Sequence, residues 1–315
     1  MSANSGKSRN TVNPRYAKLS IGVCPDQWGV WYPHDPHQIE PRKAMSEMAR
    51  AGFELLETGP YGYFPTDAAL LREWTDEFGM TVVAGTGWGI LHRNEVWAET
   101  ERHFRAIART HAAVGARYIV YLPPMARDEK TWEWIDRRRL TEGTWRRYMD
   151  NANRLGRILK EDYGLRLVMH PHGDSHIETP EQILRMLYDT DPAYVNLCLD
   201  TGHIVYGGGD PVAMARDRRF ADRIDYVHIK AFDPRIVREA HDMDWPFNEA
   251  IAHGAAVTPP HGKPDMHKFI NALADLDREI NVICEQDLYP SPPDVPLPNA
   301  IKVRRFLACC GLGML

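Results

Sequence analysis

The sequence is poor in cysteine and has no spacing typical of a cysteine metal site or a disulfide framework. Five cysteines are spread over 315 residues, and no two of them form a C-x-x-C pair. Cys24, Cys198 and Cys284 lie in apolar stretches that we predict to be strands, where a thiol behaves as a small apolar group. The pattern argues against a zinc module or a disulfide-stapled fold and favours a reducing cytoplasm.

Long apolar runs and an excess of basic charge are also missing. No apolar run approaches the roughly 18 residues that a membrane-spanning helix needs, so we expect no membrane partner. The net charge is −5, which gives no general attraction to phosphates, so we expect no nucleic-acid partner. Residues 1–17 are polar and lack the apolar segment of a signal peptide, and we predict a flexible N-terminal arm there, followed by one domain at 18–315.

Strand-like and helix-like stretches alternate along the chain. Eight apolar stretches are predicted to be strands, at residues 19–24, 53–57, 81–84, 118–122, 165–169, 195–199, 224–229 and 281–284. The glycine-rich segment 85–89 after the third is interpreted as a turn. Eight alternating units predict an α/β fold, a single (β/α)8 TIM barrel. An open doubly wound sheet is the alternative, but G-x-G-x-x-G does not follow the first strand.

Four of these strands end in residues that commonly bind metals, namely His170, Asp200, His228 and Glu285. A buried carboxylate needs hydrogen bonds, an ion pair or a cation, because burying it alone is costly. The C-terminal ends of barrel strands converge on one site. We therefore predict that these four residues hold one divalent cation, and two imidazoles with two carboxylates suit a cation of intermediate hardness.

Four motifs, in this order, resemble the xylose-isomerase-like superfamily of TIM barrels. They are H-P-H-G from His170, L-D-T-G-H ending at His203, V-H-I-K ending at Lys230, and E-Q-D from Glu285. That superfamily includes sugar isomerases and epimerases, inosose dehydratases and abasic-site endonucleases. Its members hold one divalent ion, commonly manganese, cobalt or magnesium, through a Glu, an Asp, a His and a Glu.

The first metal ligand differs from that pattern. His170 stands where many members have a glutamate, and Glu178 is an alternative first ligand. With two histidines, the site should prefer Mn²⁺, our first expectation, or Co²⁺, Fe²⁺ or Zn²⁺ over Mg²⁺.

The resemblance is nearest to inosose dehydratases and to the large subunit of C-glycoside deglycosidases. It implies a catalytic domain that acts as a lyase. The enzyme would remove a proton next to the carbonyl of a keto sugar, keto-glycoside or keto-cyclitol and expel a β-leaving group. It also implies a small second subunit and a higher oligomer as partners. The alternatives are a keto-sugar epimerase or isomerase with the same enediolate chemistry, and a sugar-binding barrel without catalysis.

Three polar residues near the expected ligands are assigned to proton transfer. His172 is predicted to be the base, since an imidazole titrates near neutral pH, and Lys230 or His203 the auxiliary acid. The alternatives are a hydrogen bond from His172 to a ligand carboxylate and an ion pair of Lys230 with Glu285 or Asp287.

Aromatic residues are frequent in the loops that follow the predicted strands, which suits a ring-shaped ligand. We predict substrate contacts for Trp28, Glu57, Tyr61, Trp88 and Glu178. The alternative for any one aromatic residue is packing of a loop against the barrel rim. The segments 125–142 and 231–264 are longer than typical loops, which favours a lid or a docking surface.

Overall fold

The protein was analysed as a computed structural model that describes residues 13–128 and 130–313. Ten strands occur in these ranges: β1 (Leu19–Val23), β2 (Leu55–Pro60), β3 (Thr81–Trp88), β4 (Tyr118–Leu122), β5 (Arg166–Met169), β6 (Val195–Asp200), β7 (Ile224–Ile229), β8 (Ala231–Phe232), β9 (Ala256–Val257) and β10 (Ile280–Cys284). Eight of them form a closed parallel barrel in the order β1-β10-β7-β6-β5-β4-β3-β2. The barrel closes between β1 and β10, with Leu19 opposite Ile280. The predicted fold class is confirmed.

Helices cover the outside of the barrel. In the described ranges they are α1 (Pro41–Arg50), α2 (Ala68–Phe78), α3 (Trp97–Ala113), α4 (Glu142–Tyr163), α5 (Pro180–Asp189), α6 (Thr201–Tyr206), α7 (Pro211–Arg216), α8 (Arg218–Ala221), α9 (Pro234–Asp242), α10 (Phe247–Ala252), α11 (Met266–Ala274) and α12 (Pro296–Cys309). Local sequence sets several of their ends. Thr179 and Gln182 form a capping box at the start of α5, and Gly164 ends α4 in the left-handed conformation, as cap chemistry predicts.

The glycine-rich segment 85–89 was wrongly interpreted as a turn, because β3 continues through Trp88. Its glycines allow α3 to approach the strand closely. A Cβ at Gly85 would lie 2.5 Å from the ring of His111, and one at Gly87 would lie 2.6 Å from Ile107. The missing side chains therefore provide space for the helix and do not bend the chain.

The inside of the barrel is apolar below its C-terminal end. One inner layer combines Cys24 and Cys198 with residues such as Val120 and Tyr226. Cys284 is also fully buried, so the three strand cysteines lie in the core as expected. The polar residues of the candidate site lie above this layer, at the strand ends.

The two long segments fold over the mouth of the barrel. Segment 231–264 contains α9 and α10 and the antiparallel pair β8–β9. The guanidinium of Arg127, in segment 125–142, donates to both carboxylate oxygens of Asp244 at 3.1 Å and to its carbonyl oxygen at 2.7 Å. The carboxylate of Asp174 accepts a 2.6 Å bond from the amide of Phe247. These contacts hold α10 close to the site.

Most of the predicted N-terminal arm, residues 1–12, lies outside the described residues. Residues 13–17 include a 3-10 turn at Pro14–Tyr16, and Arg15 pairs with Asp275 at 2.7 Å. The division into an arm and one domain stays a prediction. None of the helices in the described ranges is both long enough and apolar enough to cross a lipid bilayer.

Candidate active site

Four strand ends bring the predicted metal ligands together. His170, Asp200, His228 and Glu285 each offer one ligand atom, and these atoms lie within 4.8 Å of one another. All four side chains are buried. The carboxylate Oδ2 of Asp200 lies 3.3 Å from His170 Nε2 and 3.6 Å from His228 Nδ1. The convergence follows from the parallel barrel, which places these residues at the C-terminal ends of β5, β6, β7 and β10 on one rim.

Asp200 is held in place by the start of α6. It is the N-cap of that helix, and its Oδ1 accepts a 2.8 Å bond from the amide of His203. The other oxygen, Oδ2, faces the site and His170 Nε2. Burial alone would raise the pKa of Asp200, but Lys230 and the neighbouring histidines hold it well below the ordinary value, so the carboxylate is ionised.

His228 lies between two glutamates. Its Nε2 is 2.9 Å from Glu57 Oε2, and its Nδ1 is 2.9 Å from Glu285 Oε2. Glu57 is completely buried and also accepts a 2.6 Å bond from Thr86. Nε2 donates to Glu57, so in a neutral ring the Nδ1 lone pair faces the carboxylates of Glu285 and Asp200.

The nitrogens that face the carboxylates fit a cation. His170 Nε2 lies 3.3 Å from Asp200 Oδ2, and His228 Nδ1 lies 3.6 Å from the same oxygen and 2.9 Å from Glu285 Oε2. Electron pairs on nitrogen and oxygen that face one another at such distances are stabilised by a cation between them. Without a metal the ring itself must carry charge: burial lowers the pKa of His228, but Cys198, Glu285 and Glu57 raise it well above its ordinary value.

Lys230 is surrounded by carboxylates. Its Nζ lies within 3.6 Å of an oxygen from each of four acids, at 3.1 Å from Asp287, 3.2 Å from Glu285, 3.4 Å from Asp26 and 3.6 Å from Asp200. Burial would lower the pKa of Lys230, but these acids raise it well above the ordinary value. The lysine is therefore a charged donor, and the alternative prediction of an ion pair with Glu285 or Asp287 agrees with its contacts.

Asp26 and Asp287 were not assigned to the site from the sequence. Each follows an apolar strand closely, and this signal could have identified them. Burial raises the pKa of Asp287 to about 6 although Lys230 opposes the shift, and burial raises the pKa of Asp26 well above its ordinary value. The Oδ2 atom of each is buried without a hydrogen bond among the described residues.

His172 and His203 form a stack with Phe247. The two imidazole centroids are 4.1 Å apart, and the Phe247 ring lies 4.7 Å from His203 and 4.9 Å from His172. Burial lowers the pKa of His172 to about 3 and the pKa of His203 well below its ordinary value. His172 Nδ1 is bonded to the carbonyl of Gly173 at 2.8 Å. The hydrogen bond of this nitrogen therefore does not go to a ligand carboxylate.

A cleft with about 730 Å³ of empty space, partly open to solvent, lies above the candidate ligands. Its lining combines the polar residues of the site with apolar and aromatic residues that include Val30, Trp31, Leu122, Met125 and Phe247. This combination suits a ligand with polar substituents on an apolar ring.

Of the five predicted substrate contacts, Glu57 and Trp88 line the cleft and the other three do not. Trp28 points into the core, 2% exposed, and its Nε1 donates to Glu47 at 2.9 Å. Tyr61 lines a separate small cavity beside His111. For these two aromatic residues, packing behind the rim is the better description.

Glu178 is the third predicted contact outside the cleft, and it does not lie with the candidate ligands either. Its Oε1 lies 3.4 Å from the amide of Asp174, which donates to it. The structure thus places His170, and not Glu178, in the group with Asp200, His228 and Glu285. The physical reason is position: His170 directly follows β5, whereas Glu178 lies at the start of α5.

Comparison with known proteins agrees with this architecture. Residues 45–306 match the family described as Xylose isomerase-like TIM barrel. The chain belongs to this family. Among the relatives of this xylose isomerase-like barrel is an inosose dehydratase of Geobacillus kaustophilus. It is 30% identical over 299 residues, which cover 89% of this chain and 90% of that protein.

Two solved structures show the same fold. An L-ribulose 3-epimerase superposes with a TM-score of 0.68 at 17% identity, over 93% of this chain and 94% of that one. The IolI protein with a bound zinc atom superposes with a TM-score of 0.67 at 15% identity, over 93% and 98%. At these identities, the two structures support the fold of this xylose isomerase-like barrel alone.

Proposed function

We propose that the protein is a dehydratase of a keto-cyclitol, a lyase of the inosose dehydratase type. The observation that carries the proposal is the placement of four candidate ligands, within 4.8 Å of one another, next to a histidine pair and a buried lysine. Similarity to an inosose dehydratase over 89% of the chain supports the substrate class.

We propose His170, Asp200, His228 and Glu285 as the ligands of one divalent cation. His170 Nε2 and His228 Nδ1, which lie 3.3 Å and 3.6 Å from Asp200 Oδ2, fit this assignment. The mixed nitrogen and oxygen donors favour Mn²⁺, Co²⁺, Fe²⁺ or Zn²⁺ over Mg²⁺. When bound, such an ion polarises a substrate carbonyl as a Lewis acid.

His172 and Lys230 carry the proton transfers. His172 takes the proton from the carbon next to the carbonyl, since its ring is neutral and lines the cleft. The β C–O bond then breaks, and the departing oxygen takes a proton from Lys230 to leave as water. The proton on His172 then passes to Lys230, which restores both side chains. The substrate thus gives product and water, and no other reactant is needed. His203, 3.5 Å from Lys230 Nζ, hydrogen-bonds the same oxygen.

The apolar lining residues of the cleft support a finer candidate, the elimination of an aglycone from a 3-keto C- or O-glucoside. A bare cyclitol has no large apolar group to place against Trp31, Leu122 and Met125, whereas an aromatic aglycone would cover them. The competing reaction is epimerisation, in which the proton returns to carbon and no group leaves.

The decisive experiment incubates the metal-loaded protein in D₂O with inosose and, separately, with 3-keto C- and O-glucosides, followed by mass spectrometry. Loss of water from inosose supports the dehydratase, and release of aglycone supports the finer candidate. Deuterium in recovered substrate without a leaving group would show an epimerase instead. The chain is tested alone, so that turnover without an added small subunit shows that no partner is needed. Asp200→Asn is the inactive control.

A further inference from the structure

The backbone N–H and C=O of Gly173 each bond to one of the two rings, His203 and His172. Its carbonyl oxygen is 2.8 Å from His172 Nδ1, and its amide donates to His203 Nδ1 at 3.2 Å. A carbonyl oxygen only accepts a hydrogen bond, so the proton of His172 is on Nδ1. An amide N–H only donates, so Nδ1 of His203 carries a lone pair.

The two rings therefore have opposite tautomers. Both are buried, 9% and 1% exposed, and they lie 4.1 Å apart, so two positive charges there would repel each other in a medium of low dielectric. In neutral His172 the remaining nitrogen, Nε2, is an acceptor. In neutral His203 it is a donor, and it lies 3.5 Å from Lys230 Nζ. Two donors do not bond to each other, but they can share one acceptor.

We propose that the backbone C=O and N–H of Gly173 select these tautomers. His172 Nε2 is then the proton acceptor, and His203 Nε2 donates a hydrogen bond to the departing oxygen. The catalytic part of this statement rests on the proposed function. Gly173 acts as a positioning residue, since it contacts the two histidines and not the substrate. His203 keeps its proton throughout, and the proton on the departing oxygen comes from Lys230.

A glycine at position 173 is required by the stack. A Cβ there would lie 2.6 Å from Phe247 Cδ2 and 2.9 Å from Tyr206 Cε1. Phe247 packs on both histidines, and its own amide is fixed by Asp174 at 2.6 Å. A side chain at 173 would displace Phe247 and thereby separate the rings from the peptide that orients them.

Nitrogen-15 NMR of the imidazole rings tests the tautomers directly. The protein is labelled at histidine and loaded with Zn²⁺, and signals are assigned from the spectra of His172→Gln and His203→Gln. We expect His172 to be protonated at Nδ1 and His203 at Nε2. The proposal is overturned if either ring has the opposite tautomer. It is also overturned if both rings are protonated at Nδ1 and at Nε2.

Turnover of inosose tests the donor. The amide nitrogen of glutamine occupies about the position of Nε2, and that of asparagine the position of Nδ1. His203→Gln should therefore stay within about tenfold of the wild-type kcat, whereas His203→Asn should lose about 100-fold with little change in KM. Equal losses in both variants contradict the donor role. His172→Gln and His172→Asn should both lose kcat, because an amide does not act as a base.

The two experiments separate this inference from the proposed function. If NMR shows the expected tautomers but the protein eliminates nothing from inosose, the tautomer assignment stands and the dehydratase is refuted. Elimination by a protein with reversed tautomers refutes only the role of Gly173.

Discussion

Glu57 Oε2 and His228 Nε2 lie 2.9 Å apart, although 171 residues separate them in the chain. The carboxylate is fully buried, and its other oxygen accepts from Thr86. It fixes the ring so that Nδ1 faces Asp200 and Glu285. Glu57 thus orients a candidate ligand, and it also lines the cleft.

Glu57→Gln should weaken metal binding. The amide keeps the shape of the side chain but removes the charge that makes the imidazole a stronger donor, and loss of such a partner costs about 10- to 100-fold in affinity. The Kd for Mn²⁺ measured by calorimetry checks this. Glu54→Gln, three residues earlier and exposed, is the matched control. Unchanged affinity in Glu57→Gln would show that the contact has no effect on the ligand.

Metal removal should lower the melting temperature. An ion that binds the folded state alone stabilises it by about 2.7 kcal/mol at a hundred times its Kd, which corresponds to a shift of about 4 °C for a chain of this size. The shift between chelator-treated and Mn²⁺-loaded protein is measured by calorimetry. It should vanish in Asp200→Asn and persist in Asp294→Asn, whose side chain is exposed. A shift of equal size in Asp200→Asn would exclude that residue as a ligand.

His111 should make the fold sensitive to acid. Its Nδ1 donates to Ile107 and its Nε2 accepts from Thr58, and burial lowers its pKa to about 4. The unfolded chain, with a pKa near 6.5, binds more protons between pH 4 and 6.5. The contribution of neutral His111 to the free energy of unfolding is therefore complete above about pH 6.5. About 3 kcal/mol of it is lost as the pH falls toward 4.

Urea denaturation at pH 7 and pH 4.5 measures how much His111 contributes to the pH dependence of the unfolding free energy. The loss of unfolding free energy between the two pH values should be about 2 kcal/mol smaller in His111→Gln than in the wild type. His267→Gln, at an exposed position, should behave like the wild type. If the wild type and His111→Gln lose the same amount, protonation of His111 does not limit stability in acid.

Arg127→Ala should loosen the cover of the cleft. The guanidinium is 5% exposed and joins segment 125–142 to Asp244 in segment 231–264. Its removal takes the donor away from the carbonyls of Trp132 and Asp244, and each such hydrogen bond contributes roughly 0.5–1.5 kcal/mol. Hydrogen exchange in 231–264 should accelerate by at least tenfold.

The matched control is Arg235→Ala, because Arg235 is 79% exposed and, among the described residues, forms its ion pair with Asp233 of its own segment. Its exchange should equal that of the wild type. Protection in 231–264 that survives in Arg127→Ala would mean that the bond between Asp174 and Phe247 holds the cover without the arginine.

The sequence alone was enough to predict the barrel and the grouping of His170, Asp200, His228 and Glu285. Alternating apolar periodicities are local, and eight parallel strands bring whatever follows them to one rim. A polar residue after an apolar strand is therefore visible in the sequence as a member of the site. The same rule applies to Asp26 and Asp287, which the prediction did not use.

Only the tertiary structure decided what side chains do once they reach that rim. Trp28 turns to Glu47 in the core, Glu57 to His228, and Phe247 comes from a distant helix to stack on His203. Residues 85–88 continue strand β3, and α3 packs against them. Such outcomes depend on contacts between residues far apart in the chain, and local sequence patterns do not encode these contacts. The sequence therefore determined at which end of the barrel the polar residues gather. The packing determined which of these side chains face one another in the site.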